Sequence, residues 1–407
     1  MTPSPGLHEL FQYMRPMHAD LHFPFGLINS RNSVVTYNGS AAIAAVVEEL
    51  NLGPDDGVLL PAYCCGAEAG PFKNVGCQLY FYDIQEDLSA NRAQIESAVA
   101  SHADIKLLFI THYFGMAQPG LQELAQWCNT RQLTLIEDCA HALYGTSEGV
   151  DLGSVGDYAI FSQRKFLPLT EGGMVVSRSG FTRLSATDKR TVPFFPWLER
   201  LFYSMAQNNR CRTKDANIEN HMVSIAGIAM SSVPSIACKM VKRLSLIPRQ
   251  QWLTPEAEGP TAISVYQLGV STLSKRIWCC SNVEQIVKLR RKHFMLWMRA
   301  LENQSRVVPL IKALPDGMCP LYFPVLVSHP ASIVDRMKKN DIEVFNWWHQ
   351  VPPELAMLPP EDFAVALALK QKVIALPLHQ SVNEKNIAHM AYCLLQAAKL
   401  PVNTDTI

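Results

Sequence analysis

The chain has 407 residues, more than a single hydrophobic core usually supports, so its length predicts two domains. Lys plus Arg and Asp plus Glu number 36 each, and this balance argues against a nucleic-acid partner or an anionic membrane surface. We expect neither a secretory signal nor an integral membrane segment, because no long uncharged apolar run occurs. The eleven cysteines lack zinc spacing, so we expect reduced thiols, no metal site and a cytoplasmic protein.

The first part of the chain alternates short apolar runs with segments typical of helices. A β-branched run from Val34 to Ser40 precedes a helix over Ala41–Leu50, for which Ser40 is the expected N-cap. Further strands are predicted over 57–61, 77–82, 106–112, 133–138 and 158–161, and further helices over 65–72, 93–100 and 121–130. Apolar strands separated by helices indicate a parallel sheet covered on both faces, with the strand carboxyl ends at one edge.

The alternation breaks between Lys189 and about Pro260, where we predict irregular helices that cover an active-site mouth or a subunit contact. A helical passage over 263–301 follows, and its basic face is expected to be solvated; that face comprises Lys288, Arg290, Arg291 and Lys292. A second α/β unit closes the chain, with strands over 321–327, 342–345 and 373–377 and helices over 331–339, 364–372 and 383–400. We therefore predict a large domain over residues 1–255, its irregular region at 189–260, and a small C-terminal domain over 256–407.

Reactive side chains follow two of the predicted strands at the shared edge. Asp138 ends one strand, and Ser162 and Lys165 follow the next. A lysine held near a carbonyl can form an imine, and pyridoxal 5'-phosphate (PLP) also needs an anion at its pyridine nitrogen and a cup for its phosphate. Lys165 and Asp138 supply the first two elements, and Gly39 and Ser40 at a helix N-terminus supply the third together with Ser162.

Ser162 and Lys165 also fit the SxxK spacing of serine acyl-enzymes, in which the lysine activates the serine. That chemistry requires both residues on one helical turn, together with SDN and KTG partners that the sequence lacks. Here Ser162 ends a strand and Pro168 follows closely. We therefore interpret Ser162 as a phosphate ligand rather than a nucleophile.

Several segments resemble the DegT/StrS-type sugar aminotransferases, PLP enzymes of the aspartate-aminotransferase fold (fold type I). The most specific are IEDCAHALYG at Ile136–Gly145 and GDYAIFSQRKFLPLTEGGMVV at Gly156–Val176. NGSAAI (38–43), LLPAY (59–63), YFYDIQEDLSAN (80–91), HYFGMA (112–117) and IALPLHQSVNEKNI (374–387) extend the resemblance over most of the chain. The short spacing between Ser162 and Lys165 resembles the RKxLP variant branch of the family.

The resemblance implies an α/β protein with a large PLP-binding domain, whose central sheet is mostly parallel, and a smaller C-terminal α/β domain. It implies that Lys165 forms the internal aldimine and moves the 1,3-prototropic proton, and that Asp138 pairs with the pyridinium nitrogen. His141 stands where the family usually has Gln, near the ring hydroxyl of the cofactor. The implied phosphate ligands are Gly39, Ser40 and Ser162. The implied ring-stacking residue is one of Tyr63, Cys64 and Cys65.

The resemblance further implies a homodimeric aminotransferase that moves an amino group from an amino acid, expected to be glutamate, to a keto-sugar or related carbonyl. Polysaccharide or amino-sugar biosynthesis is the expected setting. Two alternatives stay open: another fold type I PLP reaction, and a PLP-binding regulatory or scaffold protein without turnover. Lys165 argues against the dehydratase branch of the family, which has His at that position. The family's Asn-Tyr-Arg-Met segment, which reaches the partner subunit's cofactor, has no clear match before Ser264–Gln267.

Overall fold

The computed structural model describes residues 32–184 and 265–399. The irregular helices predicted over 189–260 and the predicted domain boundary at residue 255 lie outside these two ranges, so both stay predictions. No helix within the two ranges is long and apolar enough to cross a membrane.

Within the described residues, the large domain contains a seven-stranded sheet of order β1-β9-β8-β5-β4-β2-β3. Its strands are β1 (Ser33–Thr36), β2 (Gly57–Pro61), β3 (Gln78–Tyr82), β4 (Ile105–Thr111), β5 (Thr134–Cys139), β8 (Tyr158–Phe161) and β9 (Gly173–Ser177); a hairpin of β6 (Thr146–Ser147) and β7 (Val150–Asp151) stands apart. Strands β8, β5, β4, β2 and β3 pair in parallel, and β9 is antiparallel to both β8 and β1. The mostly parallel sheet predicted from the apolar runs is confirmed.

Helices cover this sheet because its strands are apolar on both faces. Every residue of β2 and β8 is buried, as expected for strands packed on both sides. The helices of the large domain are α1 (Gly39–Leu50), α2 (Gly70–Lys73), α3 (Arg92–Ser101) and α4 (Leu121–Thr130). The bounds of β2, β8 and α4 agree with the sequence prediction.

Two local predictions in the large domain were wrong. Asn38, and not Ser40, caps α1, because the side-chain oxygen of Asn38 accepts a hydrogen bond from the Ala41 N–H at 2.8 Å. The helix predicted over 65–72 is confined to the four residues of α2. Gly66 has a left-handed backbone conformation (φ 85°), which prevents a helix from beginning at Cys65.

The small domain has an antiparallel sheet of order β10-β11-β13-β12. Its strands are β10 (Val307–Pro309), β11 (Phe323–Val327), β12 (Phe345–Asn346) and β13 (Val373–Leu376). Its helices, with those that lead into it, are α5 (Thr272–Cys279), α6 (Val283–Ala300), α7 (Pro330–Lys339), α8 (Pro353–Ala356), α9 (Ala364–Lys370) and α10 (Glu384–Lys399). A second hydrophobic core forms between this sheet and helices α6, α7 and α10. The predicted second α/β unit is therefore present.

The helical passage predicted over 263–301 is interrupted, and its basic face is not uniformly solvated. Ser271 caps α5 and Asn282 caps α6, so two helices replace one. Lys288 and Lys292 are exposed, but Arg290 is completely buried. The prediction of a solvated basic stripe was therefore wrong at Arg290.

The glycine pair after Lys165 brings β9 close to the start of α1. The Gly172 N–H donates to the Tyr37 carbonyl at 2.7 Å. A Cβ atom on Gly173 would lie 2.2 Å from the carbonyl carbon and oxygen of Asn38. Real side chains do not approach backbone this closely, so only glycine fits at position 173.

We expect Gly173→Ala to lower the free energy of unfolding by about 3 kcal/mol or more, because the added methyl group meets backbone that cannot move aside. Gly53→Ala is the matched control, since a Cβ there meets nothing within 4 Å and should change stability by less than about 1 kcal/mol. Urea titration of both purified variants provides the measurement. Equal stability of the two variants would contradict the close approach of Gly173 to Asn38.

Candidate active site

Asp138 lies at the carboxyl end of β5, near the middle of the large sheet. Its side chain is buried, and one carboxylate oxygen accepts the Ala140 N–H at 2.9 Å. Burial, reinforced by the negative charge of Glu68, raises the pKa of Asp138 to about 6, while Lys165 and the Ala140 N–H favour ionisation. A carboxylate with such a pKa stays ionised at neutral pH when a cationic group lies beside it.

Lys165 ends a 3₁₀ turn (Gln163–Lys165) that follows β8, the strand next to β5. Desolvation lowers the pKa of the amine below its usual range, although the negative charge of Asp138 opposes the shift. No side chain or carbonyl of the described ranges accepts a hydrogen bond from the amine. A lowered pKa increases the neutral fraction of a lysine relative to an exposed lysine, and the neutral amine is the form that attacks a carbonyl.

The first turn of α1 lies beside Ser162. A Cβ atom on Gly39 would be 3.9 Å from the Ser162 Cβ, which is ordinary van der Waals contact. Asn38 accepts from Ala41 and Ala42, so the N–H groups of Gly39 and Ser40 are the ones that the helix leaves unbonded. Unbonded N–H groups at the N-terminus of a helix attract anions. The structure thus brings together the three residues predicted to hold a phosphate.

His141 follows β5 and is buried against two tryptophans of the small domain. Its ring centroid lies 5.2 Å from that of Trp347 and 5.3 Å from that of Trp348. Desolvation and the nearby Lys165 charge lower the pKa of His141 well below its usual value, so the ring is neutral. Its Nδ1 atom is buried without a hydrogen-bond partner among the described residues. A neutral imidazole with an unused nitrogen can bind a ring hydroxyl.

The segment Tyr63–Cys65 forms a wall of the site next to Lys165. The Tyr63 hydroxyl donates to the Trp347 carbonyl at 2.9 Å, and the Cys64 carbonyl accepts from the Lys370 amine at 2.5 Å. The Cys65 thiol donates to a Glu68 carboxylate oxygen 3.2 Å away, and burial together with the Glu68 charge raises its pKa, so Cys65 is a neutral thiol. The proposal that one of the three wall residues stacks on a cofactor ring stays a prediction.

Sequence reasoning missed four side chains that the structure places around the predicted residues. These are Glu68, Trp347, Trp348 and Lys370. The adjacent tryptophans at the end of a short small-domain strand were a signal of a buried aromatic surface. Glu68 and Lys370 offered no such signal, because their burial depends on packing between the two domains.

Glu137 precedes Asp138 but has a structural role. Its carboxylate accepts the N–H groups of Gly153, Val155 and Gly156 at 2.6–2.9 Å. His112 Nδ1 accepts a backbone N–H, so its Nε2 must donate to Glu137, 2.9 Å away. Burial raises the pKa of Glu137, but these hydrogen bonds outweigh it and hold the pKa below its usual value. Glu137 and His112 lie close to Cys139, as metal ligands would, yet their ligand atoms are already engaged.

The two neighbouring carboxylates should therefore give opposite pH dependences of stability. The pKa of Asp138 rises from 3.8 to about 6 on folding, so wild-type stability falls as the pH rises through this window. Asp138→Asn removes that loss. Relative to wild type, the variant should therefore gain up to about 3 kcal/mol of stability as the pH rises from below 3.8 to above about 6. Urea titrations of protein without added cofactor, at a series of pH values, test this.

Glu137→Gln is the matched control with the opposite sign. The lowered pKa of Glu137 stabilises the fold above pH 4.5, and this contribution is lost as the pH falls through the folded-state pKa. The Glu137→Gln variant should therefore lose stability relative to wild type as the pH rises. The same pH trend in both variants would contradict the assigned environments.

Comparisons with known proteins agree with this geometry. Residues 26–187 match the model of the DegT/DnrJ/EryC1/StrS aminotransferase family. A UDP-N-acetyl-3-dehydro-alpha-D-glucosamine 3-aminotransferase of Acidithiobacillus ferrooxidans is 30% identical over 158 residues, which are 37% of this chain and 42% of that relative. The matched part thus spans about two fifths of the length of this relative.

Two solved structures share the fold over nearly the whole chain. Helicobacter pylori PseC, an aminotransferase involved in the biosynthesis of pseudoaminic acid, has a TM-score of 0.62 at 14% identity and covers 90% of this chain and 86% of its own. Streptococcus pneumoniae Spr1654 in its PLP form has a TM-score of 0.61 at 16% identity and covers 90% and 87%. PLP-dependent transferase fold type I is therefore confirmed, and the match over residues 26–187 confirms the resemblance to the DegT/DnrJ/EryC1/StrS aminotransferase family.

Proposed function

We propose that the protein is a PLP-dependent aminotransferase that moves an amino group from an amino acid, in the first instance glutamate, to a keto-sugar or related carbonyl. One observation carries the proposal: the desolvated Lys165 amine lies beside the buried Asp138 carboxylate at one edge of the sheet. The 3-aminotransferase named above is a relative whose name describes amino transfer to a dehydro sugar.

The residues of the site fit PLP. The unbonded N–H groups of Gly39 and Ser40 belong to the helix turn that lies beside Ser162 and suit a phosphate, and the unpartnered nitrogen of His141 suits a ring hydroxyl. The Asp138 carboxylate would accept a hydrogen bond from the protonated pyridine nitrogen. When bound, PLP supplies an electrophilic carbonyl and an electron-withdrawing ring.

Each residue then has a physical task. With PLP bound, the Lys165 amine would hold the cofactor carbonyl and would then move the proton that amino transfer requires. Asp138 would favour a positive charge on the pyridine nitrogen, and His141 would orient the ring through its hydroxyl. Trp347 and Trp348 cover His141 and exclude water from that side of the site.

We further propose that the protein acts as a cytoplasmic homodimer. The cysteines of the described ranges are all free, and several are buried, which suits a reducing compartment. The apolar side chains of Val351, Met357 and Leu358 are exposed, and a second copy of the chain would remove them from water.

The first test is the cofactor itself. Protein purified with PLP should be yellow, because a lysine-bound pyridoxal absorbs visible light. Borohydride should remove the visible band and leave the reduced cofactor on the peptide that contains Lys165, as mass spectrometry would show. Lys165→Ala is the control and should bear no covalent cofactor. A colourless wild-type protein that takes up no PLP would exclude the proposed function.

The second test separates amino transfer from the two alternatives. Addition of L-glutamate to the yellow protein should abolish the visible band and release one equivalent of 2-oxoglutarate, because Lys165 would pass the α-proton of glutamate on to the cofactor, which keeps the amino group, while water releases the keto acid. Carbon dioxide release would indicate a decarboxylase instead. An unchanged spectrum with every amino acid tried would favour a PLP-binding regulatory or scaffold protein.

A further inference from the structure

Arg290 is a completely buried arginine of α6, and the mechanism above does not use it. One of its terminal nitrogens donates to the carbonyls of Pro320 at 3.2 Å and Leu321 at 3.0 Å. The other terminal nitrogen donates to the carbonyl of Phe166 at 3.4 Å, and Nε donates to the side chain of Gln380 at 3.1 Å. One guanidinium therefore joins three separate segments of the chain.

Phe166 directly follows Lys165, so its carbonyl lies at the end of the 3₁₀ turn Gln163–Lys165 (the lysine turn). That carbonyl accepts a second and shorter bond, 2.7 Å long, from the Gln380 amide. The Phe166 ring packs against the guanidinium, with 4.6 Å between the ring centroid and Cζ. Arg290 and Gln380 thus fix both the main chain and the side chain that follow Lys165.

The bonds of Arg290 to the 320–321 loop connect the lysine turn to a second turn at the sheet edge. The Leu321 N–H donates to the Phe114 carbonyl at 2.9 Å, and Phe114 follows β4. Its ring centroid lies 6.2 Å from that of His141. The network of Arg290 therefore reaches the surroundings of two predicted cofactor ligands.

The charge of Arg290 is costly where it lies. In the described part of the chain no carboxylate lies within ion-pair distance of it, so its partners are carbonyl dipoles, an amide and an aromatic ring. A buried charge without a counter-ion is unfavourable, and an apolar side chain of similar volume would avoid that cost. The planar guanidinium donates to three carbonyls and an amide at once, which neither an apolar side chain nor a lysine could do.

We propose that Arg290 is a positioning residue for Lys165, which fixes the Phe166 carbonyl and so directs the lysine amine into the site. The inference rests on the proposed function only in the role that it gives to Lys165. If Arg290 is shortened, the turn loosens and more water reaches the half-buried amine, which then behaves more like an exposed lysine. The charged and titratable groups that face Lys165 are Cys65, Glu68, Asp138, His141 and Arg164.

Arg290→Lys and Arg291→Lys form a matched pair for the test. Both residues lie on α6, and Arg291 also donates to carbonyls of the same loop, those of Pro315 and Met318, but it does not contact Phe166. Each substitution keeps the positive charge and removes the fork of donors. The full-length chain is used in both cases, without and with PLP.

The first measurement needs no cofactor. Competitive acetylation across a pH series, read by mass spectrometry, compares Lys165 with the exposed Lys288 of the same sample. In wild type and Arg291→Lys, Lys165 should titrate below Lys288. In Arg290→Lys the midpoint of the Lys165 titration should move up by about one pH unit, and this midpoint is the readout because greater access to the amine changes the extent of acetylation but not the midpoint.

The second measurement uses the PLP-loaded protein and L-glutamate. We expect Arg290→Lys to slow the single-turnover rate about tenfold with the apparent KM changed less than about threefold, because Lys165 moves the proton but does not bind the donor. Arg291→Lys should behave like wild type in both parameters. The split between rate and KM distinguishes positioning of Lys165 from a general loss of fold.

Several outcomes would overturn the inference. A Lys165 titration in folded Arg290→Lys that is unchanged from wild type, even with a lower melting temperature, would leave Arg290 only a structural role. If Arg290→Lys does not fold, Gln380→Met decides, because it removes the shorter bond to the Phe166 carbonyl without a change of charge, and a wild-type titration in that variant refutes the proposal. If wild type binds no PLP, the proposed function fails, while the acetylation result still decides the role of Arg290.

Discussion

The burial of Asp138 and the partial burial of Lys165 at one edge of the sheet are the constraint on which the site depends. Burial alone drives the carboxylate toward its protonated form and the amine toward its neutral form, and the attraction between their charges opposes both shifts. The pKa values of both residues therefore depend on any third charged or polar group placed between or beside them. Glu68 already acts in this way, since its charge raises the pKa of Asp138 and favours the protonated form of Lys165.

Consecutive carboxylates on β5 show how strongly position determines chemistry. Side chains alternate between the two faces of a strand, so Glu137 and Asp138 meet different surroundings. Glu137 is saturated by backbone N–H groups and His112, whereas Asp138 has a single such bond from Ala140. The first carboxylate holds the loop that follows β5, and the second keeps an unused oxygen for a ligand.

The sequence predicted those features that depend on neighbours along the chain. Apolar runs located β2 and β8 and predicted the parallel arrangement that brings Asp138 and Lys165 to one edge. The cap of α1 was misassigned because Asn38 and Ser40 are both good capping residues, and only the backbone shows which one precedes the helix. The burial of Arg290 could not be predicted, because its partners Phe166 and Gln380 lie 124 and 90 residues away.

The small domain completes the site, and it does so mainly through donors to main-chain carbonyls. Lys370 donates to the Cys64 carbonyl of the Tyr63–Cys65 wall, and Arg290 donates to the Phe166 carbonyl after the lysine turn. Loops at the end of a parallel sheet carry carbonyls that their own sheet does not satisfy, and burial makes each of them need a donor. Because these donors come from the second domain, the wall and the lysine turn reach their final geometry only when the two domains are packed together. The buried cations thus connect formation of the candidate site to the docking of the small domain.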